Sequence, residues 1–233
     1  MQLQLLQVLQ NLFFCFSFLF RYFVFHIHLL FIHKHTKAKS IKLFLLEIFR
    51  LKIIGITGTL GAGKGTIVDY LIKKHSFQHF SVRGYLSQLV KAKGQEVNRD
   101  TLVATANELR ALHSPSFIAE ELYREAKASN KDCIIESIRT VGEVTALKAK
   151  GNFYLLAIDA DQKLRYERIV ERASETDKVS FETFVANENR EMSSTDANKQ
   201  NISACVKLAD FKFINNGSFE ELYEKIDEVL KKI

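Results

Sequence analysis

The chain of 233 residues is poor in the residues that interrupt or cross-link a fold. It has one proline, Pro115, and no repeat or low-complexity tract, so nothing marks an internal linker. Its three cysteines, Cys15, Cys133 and Cys205, lie far apart without a CxxC spacing. An odd and scattered set argues against a disulfide framework and fits a reducing compartment. The length suffices for one α/β domain with a sizeable core.

The first fifty residues lack glycine: all ten glycines lie after residue 50, whereas ten of the nineteen phenylalanines lie before it. Six of the 33 basic residues and one of the 27 acidic residues lie there too, so residues 51–233 carry 27 basic and 26 acidic side chains. We therefore predict a hydrophobic, basic N-terminal extension over 1–50 and a nearly neutral domain over 51–233. A neutral domain without a basic stripe argues against nucleic-acid binding.

The extension contains an apolar run, residues 12–32, that is about long enough to span a bilayer. Cationic residues follow between Lys34 and Lys42, as in a cytoplasmic flank. Arg21, His26 and His28 inside the run weigh against a membrane anchor because they are costly in hydrocarbon. A signal peptide is disfavoured further, since no basic region precedes the run and no small-residue cleavage site ends it.

Two other interpretations of the extension stay open. It could be translated upstream sequence, because a product that starts at Leu51 would begin where the first predicted strand begins, although the first methionine after Met1 is Met192. It could also be an ordered helix. Under each interpretation we expect residues 51–233 in the cytoplasm, with membrane attachment only if 12–32 is a genuine anchor.

From residue 51 onward, short apolar runs alternate with longer amphipathic stretches. The apolar runs predict strands at 52–57, 79–82, 132–137, 153–159 and 211–215. The amphipathic stretches predict helices at 64–75, 84–93, 100–112, 116–128, from 141, at 161–173 and from 219. Ser114 with Pro115 is expected to start the fourth helix, and Ser218 with Glu221 to form a capping box on the last. Alternating strands and helices predict an α/β fold with a parallel sheet covered on both faces.

A glycine-rich loop, GITGTLGAGKGT at residues 55–66, lies between the first strand and the first helix. Glycines let the backbone wrap a phosphate with its N–H groups pointing inward, and the helix that follows adds its dipole. Lys64 would bridge the β- and γ-phosphates, and the hydroxyl comes from Thr66 rather than from position 65. We predict a P-loop that binds a nucleoside triphosphate, with ATP as the first choice. Its contacts are Gly58, Gly61, Ala62, Gly63, Lys64, Gly65 and Thr66.

Two further segments would face the loop. CIIESIRT, residues 133–140, places Glu136 at the end of an apolar strand, where it could hold Mg²⁺ through water together with Thr66, or lie solvated at the strand end. One arc of helix 161–173 carries Arg165, Arg168 and Arg172, while Tyr166, Ile169, Val170 and Ala173 form the face expected to pack on the sheet. Three cations on one arc indicate an anion site, and Glu167 with Glu171 leaves a salt-bridged surface as the alternative.

The loop has the form GxxGxGKGT, which resembles that of nucleoside monophosphate kinases. Residues 51–233 look like the adenylate kinase and dephospho-CoA kinase superfamily of P-loop kinases. They are most similar to a dephospho-CoA-kinase-like branch that is also found joined to deoxycytidylate deaminases. The resemblance implies a three-layer P-loop kinase fold with a five-stranded parallel sheet, ATP and Mg²⁺ as cofactors, and a short helical lid over about residues 174–193.

The resemblance also implies roles for single residues. Arg139 would hold the acceptor phosphate, Arg168 would stack near adenine, and Arg172 would reach the transferring phosphoryl group. Lid closure would deliver Arg190 to the developing charge. Asn216 lies in a loop similar to the one that frames adenine in dephospho-CoA kinases.

Fewer residues can be assigned to the binding site of the phosphoryl acceptor. Arg83 and Arg110 are candidate anion contacts beside Arg139, but SVRGYL, residues 81–86, has no acid where related kinases often carry one. The sequence therefore supports two functions. The first is a kinase that transfers the γ-phosphoryl group of ATP to a small phosphorylated acceptor, a nucleoside monophosphate or dephospho-CoA. The second is a non-catalytic nucleotide-sensing module.

Overall fold

The computed structural model describes residues 51–172 and 179–233. The N-terminal extension, with its apolar run at 12–32, and the first residues of the expected lid lie outside the described residues. Within the described ranges, no helix combines the length and the apolar character needed to cross a membrane.

Five strands in the described part of the chain form one parallel sheet. They are β1 (Ile53–Gly58), β2 (Gln78–Ser81), β3 (Cys133–Glu136), β4 (Phe153–Asp159) and β5 (Phe211–Ile214), in the order β2-β3-β1-β4-β5. The central strand β1 pairs with β3 up to Ile56 opposite Glu136, and with β4 up to Gly58 opposite Ile158. The five-stranded parallel sheet predicted from the apolar runs is confirmed.

Nine helices in the described ranges cover the sheet. They are α1 (Lys64–His75), α2 (Val82–Ala92), α3 (Arg99–Leu112), α4 (Phe117–Ala128), α5 (Val141–Lys148), α6 (Gln162–Arg172), α7 (Phe181–Met192), α8 (Ile202–Leu208) and α9 (Phe219–Leu230). Seven of them match the predicted helices, and α7 lies in the expected lid. The short helix α8 has no counterpart among the predicted elements.

The core lies on both faces of the sheet because successive strand side chains point to opposite faces. In β1, Ile53 belongs to a buried cluster formed with α2 to α5, whereas Ile54 and Ile56 belong to a second cluster formed with α1 and α9. Each of these isoleucines is fully buried, which contributes about 1.5–3 kcal/mol per side chain. The three-layer α/β fold is therefore confirmed.

Three local predictions are wrong or only half formed. Helix α4 begins at Phe117 rather than beside Pro115, because Ser114 and Pro115 lie in a turn in which the Phe117 N–H donates to the Ser114 carbonyl over 3.1 Å. Val170 is 51% exposed, since α6 packs through the i, i+4 pair Arg165 and Ile169 instead. At α9 only one half of the capping box is described, with Ser218 Oγ accepting from the amide that follows three residues later.

Candidate active site

The P-loop joins the end of β1 to the start of α1. Gly63 has φ = 105°, and a Cβ there would collide with the Asn215 side chain. Gly58 has φ = 139°, and a Cβ there would collide with the carbonyl of Ile158 on β4. Asn215 also donates from Nδ2 to the Ala62 carbonyl over 2.8 Å, so the loop after β5 supports the P-loop directly. Glycine is needed at both positions because the backbone turns in the left-handed region against close neighbours.

Lys64 is the first residue of α1 and lines a cavity beside the loop. Its Nζ donates to the carbonyls of Gly58 (3.1 Å) and Thr59 (2.8 Å). Burial lowers the Lys64 pKa from 10.5 to about 7, and the positive charge of Arg139 acts in the same direction. A bound phosphate would restore the charged form, since it is the anion that an ammonium at this place lacks.

Glu136 ends β3 level with Ile56 of β1 and faces the same cavity. His79 Nε2 on β2 lies 3.2 Å from its Oε2. Burial alone would raise the Glu136 pKa, but contact with His79 and the charges of Lys64 and Arg139 outweigh burial and lower it. The carboxylate is therefore ionised at neutral pH.

Glu136 and Thr66 line the cavity together, and their oxygens suit a hard cation that also binds nucleotide phosphates. Mg²⁺ keeps several waters and takes one or two protein oxygens in such sites. No group of three or more His, Cys, Asp or Glu side chains in the described ranges could hold a metal ion. The residues present thus fit an ion shared with phosphate rather than one held by protein alone.

The cavity has a volume of about 650 Å³ and gathers most of the predicted site residues. Those that line it are Gly61, Gly63, Lys64, Gly65, Thr66, Arg83, Arg110, Glu136, Arg139, Arg168 and Arg172. Gly58 and Ala62 do not line it and are buried within the loop. The structure therefore brings the P-loop, the end of β3 and helix α6 to one place.

Besides Gly58 and Ala62, two predicted site residues do not line this cavity. Arg190 is half exposed on α7, 3.4 Å from Asp100, because α7 turns Glu188 and Glu191 inward instead. Asn216 is exposed, and its Oδ1 accepts from the backbone N–H of Asp161 over 2.9 Å. In each case the neighbouring residue, Glu191 or Asn215, lines the cavity.

The arginine arc of α6 divides between structure and site. Arg165 is buried and forms an ion pair with Glu188 on α7 (2.5 Å), while it also donates to the carbonyls of Ala160 and Leu60. Arg168 and Arg172 line the cavity. Of the three arginines in the predicted anion site, two thus line the cavity and one is paired inside the fold.

The cavity lining also contains residues that were not predicted as site residues, among them Arg99, Glu191, Gln200 and Phe219. Glu191 Oε2 lies 2.7 Å from Arg139 Nη1, and its Oε1 lies 2.5 Å from Arg99 Nη2. Gln200 Oε1 accepts from the same Arg139 nitrogen over 2.7 Å. A signal was present for Glu191, since Glu188 and Glu191 have the i, i+3 spacing of one helix face.

A second carboxylate, Glu143 on α5, is fully buried behind the arginines. Its Oε1 accepts from Arg110 Nη2 over 2.9 Å, and its Oε2 accepts from the backbone N–H groups of Arg139 (2.7 Å) and Thr140 (3.1 Å). Arg110 Nη1 is buried and has no hydrogen-bond partner among the described residues. Glu143 therefore ties Arg110 to the segment that carries Arg139.

Comparison with known proteins agrees with this geometry. An AAA domain matches residues 54–196. A UPF0200 protein of Methanococcus vannielii is 31% identical over 186 residues, which cover 78% of this chain and 97% of that protein. A UPF0200 protein of Methanocaldococcus jannaschii is 30% identical over 184 residues, covering 78% and 90%.

Among solved structures, TT1252 from Thermus thermophilus has the same fold, with a TM-score of 0.53 and 20% sequence identity over 79% of this chain and 98% of that one. The resemblance of residues 51–233 to the P-loop kinase superfamily is confirmed by the fold and the AAA-domain match. The family model matches more than half of the chain, and one relative is 31% identical along nearly its whole length. These matches show a family and not only a shared fold. The chain belongs to the AAA-domain proteins and to the UPF0200 family.

Proposed function

We propose that the protein transfers the γ-phosphoryl group of ATP to a small nucleotide-like acceptor, a nucleoside monophosphate or dephospho-CoA. The observation that carries the proposal is the convergence of Lys64, Glu136, Arg139 after β3 and the arginines of α6 on one cavity. Phosphoryl transfer needs positioning and neutralisation of charge more than a covalent nucleophile. A P-loop with cations on several sides provides both.

The donor half of the cavity is formed by the P-loop and α6. The backbone N–H groups of residues 61–66 and the Lys64 side chain would hold the phosphates. Mg²⁺, held by Thr66 and Glu136, would neutralise part of the phosphates' negative charge. Arg168 would lie beside the adenine and Arg172 at the transferring group. Phe219, 57% exposed at the start of α9, offers an apolar surface on the same side.

The acceptor half is lined by apolar side chains with arginines among them. The apolar wall consists of Val82, Leu86, Leu102, Val103 and Ala106. Arg83, Arg110 and Arg139 add positive charge to this wall. A molecule with an apolar or flat body and a phosphate group fits such a lining, because the body is desolvated by the wall and the anion is paired.

The test is ADP release from ATP with a panel of nucleoside monophosphates, deoxynucleoside monophosphates and dephospho-CoA. One acceptor should stimulate ADP release, and Lys64→Ala should lower the rate by about 10²–10³-fold because a charged transition-state contact is lost. The matched control is Lys73→Ala, which removes an exposed lysine of the same helix and should leave turnover unchanged. Full turnover by a folded Lys64→Ala protein contradicts the proposal.

One observation favours a second function, that of a nucleotide sensor without turnover. The carboxylates that line the cavity in the described ranges are Asp69, Glu136, Glu171 and Glu191, and none comes from β2 or α2. A sensor would bind ATP or a deoxynucleoside triphosphate and respond to occupancy. Tight ATP binding without stimulation of ADP release by any acceptor in the panel would favour this function over the kinase.

A further inference from the structure

We propose that Arg99 is part of the acceptor site and that Glu191 positions Arg99 and Arg139 to bind an oxyanion such as a phosphate. The proposal deepens the kinase function above and rests on it for the identity of the anion as the acceptor's. It gives helix α7 a role through Glu191, whereas Arg190 on the same helix points away from the cavity.

Glu191 joins three separate parts of the fold. It lies on α7, Arg99 is the first residue of α3, and Arg139 lies in the segment between β3 and α5. Its side chain is 5% exposed, while those of Arg99 and Arg139 are 21% and 24% exposed and line the cavity. The buried carboxylate thus holds two partly exposed guanidinium groups at fixed positions beside the P-loop.

The contacts of Glu191 leave most of each arginine available. It meets Arg99 through Nη2 and Arg139 through Nη1, which are one nitrogen of each planar fork. Gln200 shares the same Arg139 nitrogen, so the remaining N–H groups of that fork make no hydrogen bond within the described ranges. If Glu191 occupied the place of the anion itself, we would expect it to bind a guanidinium group through two nitrogens, which it does not.

Two buried donors provide an independent sign that an anion belongs here. Arg99 Nε and Arg110 Nη1 are both buried without a hydrogen-bond partner in the described part of the chain, and both residues line the cavity. The side chain of Arg110 is 1% exposed. Buried polar groups are rarely left unpaired, and charged donors least of all, so an oxygen-bearing ligand would satisfy them.

The charges of this cluster also favour an anion. Three arginines, Arg99, Arg110 and Arg139, face two carboxylates, Glu143 and Glu191, which leaves one positive charge in excess. Burial would raise the Glu191 pKa, but the charges of Arg139 and Arg99 lower it, so Glu191 keeps its charge at neutral pH. Because Glu191 lies on α7, the cluster is complete only while α7 is docked. Acceptor binding should therefore be coupled to the position of this helix.

The experiment uses the full chain with its P-loop saturated by Mg²⁺ and a non-hydrolysable ATP analogue, and inorganic phosphate as the probe. Calorimetry measures the phosphate dissociation constant for the wild type and for Glu191→Gln. Removal of a negative charge would by itself strengthen phosphate binding. If Glu191 positions the arginines, phosphate affinity should instead fall by at least about tenfold, because the single oxygen of glutamine cannot hold both Arg99 and Arg139.

Two more variants complete the test. Arg99→Lys keeps the charge but loses the planar fork, so it should also weaken phosphate binding by about tenfold, which covers the case that Glu191→Gln does not fold. Glu108→Gln removes an exposed carboxylate of α3 and should change nothing. Analogue affinity is measured in parallel, so that phosphate binding is compared with the P-loop saturated in each of the four proteins.

Several outcomes would overturn the inference. They are phosphate binding that is tighter or unchanged in folded Glu191→Gln, unchanged binding in Arg99→Lys, and no phosphate binding by the wild type. Failure of the kinase proposal is distinguishable, because it would appear as absent ADP release, and the phosphate measurement needs no turnover.

Discussion

Lys64 is a partly buried amine whose positive charge is disfavoured before any phosphate reaches it. Its pKa of about 7 follows from burial and from Arg139, and two backbone carbonyls are the acceptors for its ammonium group. In the unliganded protein a large fraction of Lys64 is therefore neutral at pH 8. The phosphate site is thus built around a residue whose charge depends on occupancy.

This predicts a pH dependence of nucleotide binding. A bound triphosphate raises the Lys64 pKa, so binding at pH 8 should take up a proton, and affinity should fall as pH rises above about 7, by up to about tenfold per unit. Calorimetry of Mg²⁺–ATP analogue binding in buffers of different ionisation enthalpy measures the proton uptake. Lys64→Met should abolish it, and a binding enthalpy independent of buffer at pH 8 would show that Lys64 is already charged.

The P-loop requires glycine at position 63 but not at position 65. Gly63→Ala should lower the free energy of unfolding by about 1–3 kcal/mol, because φ = 105° is strained for alanine and its Cβ meets Asn215. Gly65→Ala should raise it by about 0.5–1 kcal/mol, since this helical position has nothing within 4 Å of a new Cβ. Urea unfolding without nucleotide measures both, and equal stabilities would contradict the prediction.

At the scale of elements, α7 is attached to the domain by polar and aromatic contacts together. Phe184 is fully buried and packs with Tyr166 of α6, and Glu188 pairs with Arg165 over 2.5 Å. Glu191 then reaches across to α3 and to the segment after β3. Helix α7 is therefore held by the burial of Phe184 and by buried ion pairs together.

Helix α5 shows how one buried carboxylate joins several elements. Glu143→Ala should lower the free energy of unfolding by about 3–5 kcal/mol, because it leaves Arg110 as an unpaired buried charge and also removes one half of the α5 capping box. Chemical denaturation of the two proteins measures the difference.

The control for this change is Glu108→Ala, which breaks an exposed pair with Lys93 and should cost less than about 1 kcal/mol. A loss of similar size in both variants would mean that the Arg110–Glu143 pair contributes no more than a surface ion pair.

At the scale of the whole molecule, residues 51–233 form one compact unit, and its described residues hold two buried core clusters and the cavity. We therefore expect a protein of residues 51–233 to fold and to bind Mg²⁺–ATP with the affinity of the full chain. Thermal unfolding and calorimetry of the two proteins provide the comparison, and the short form with Lys64→Ala serves as the binding control. Loss of folding or of nucleotide binding in the short form would contradict this domain boundary.

The sequence by itself determined the strands, most helices and the P-loop. Each depends on residues close in the chain: apolar runs for β1 and β4, and a glycine pattern around Lys64 that is typical of a phosphate loop. Local backbone preferences and periodicity suffice for such features.

Only the tertiary structure decided which charged groups meet. Arg165 and Arg168 share one arc of α6, yet one pairs with Glu188 inside the fold and the other lines the cavity. Glu191 meets Arg99, which lies 92 positions away, although Arg190 beside it points outward. Such pairs depend on how helices dock on the sheet, and burial of a charge is favourable only where a distant partner is brought to it.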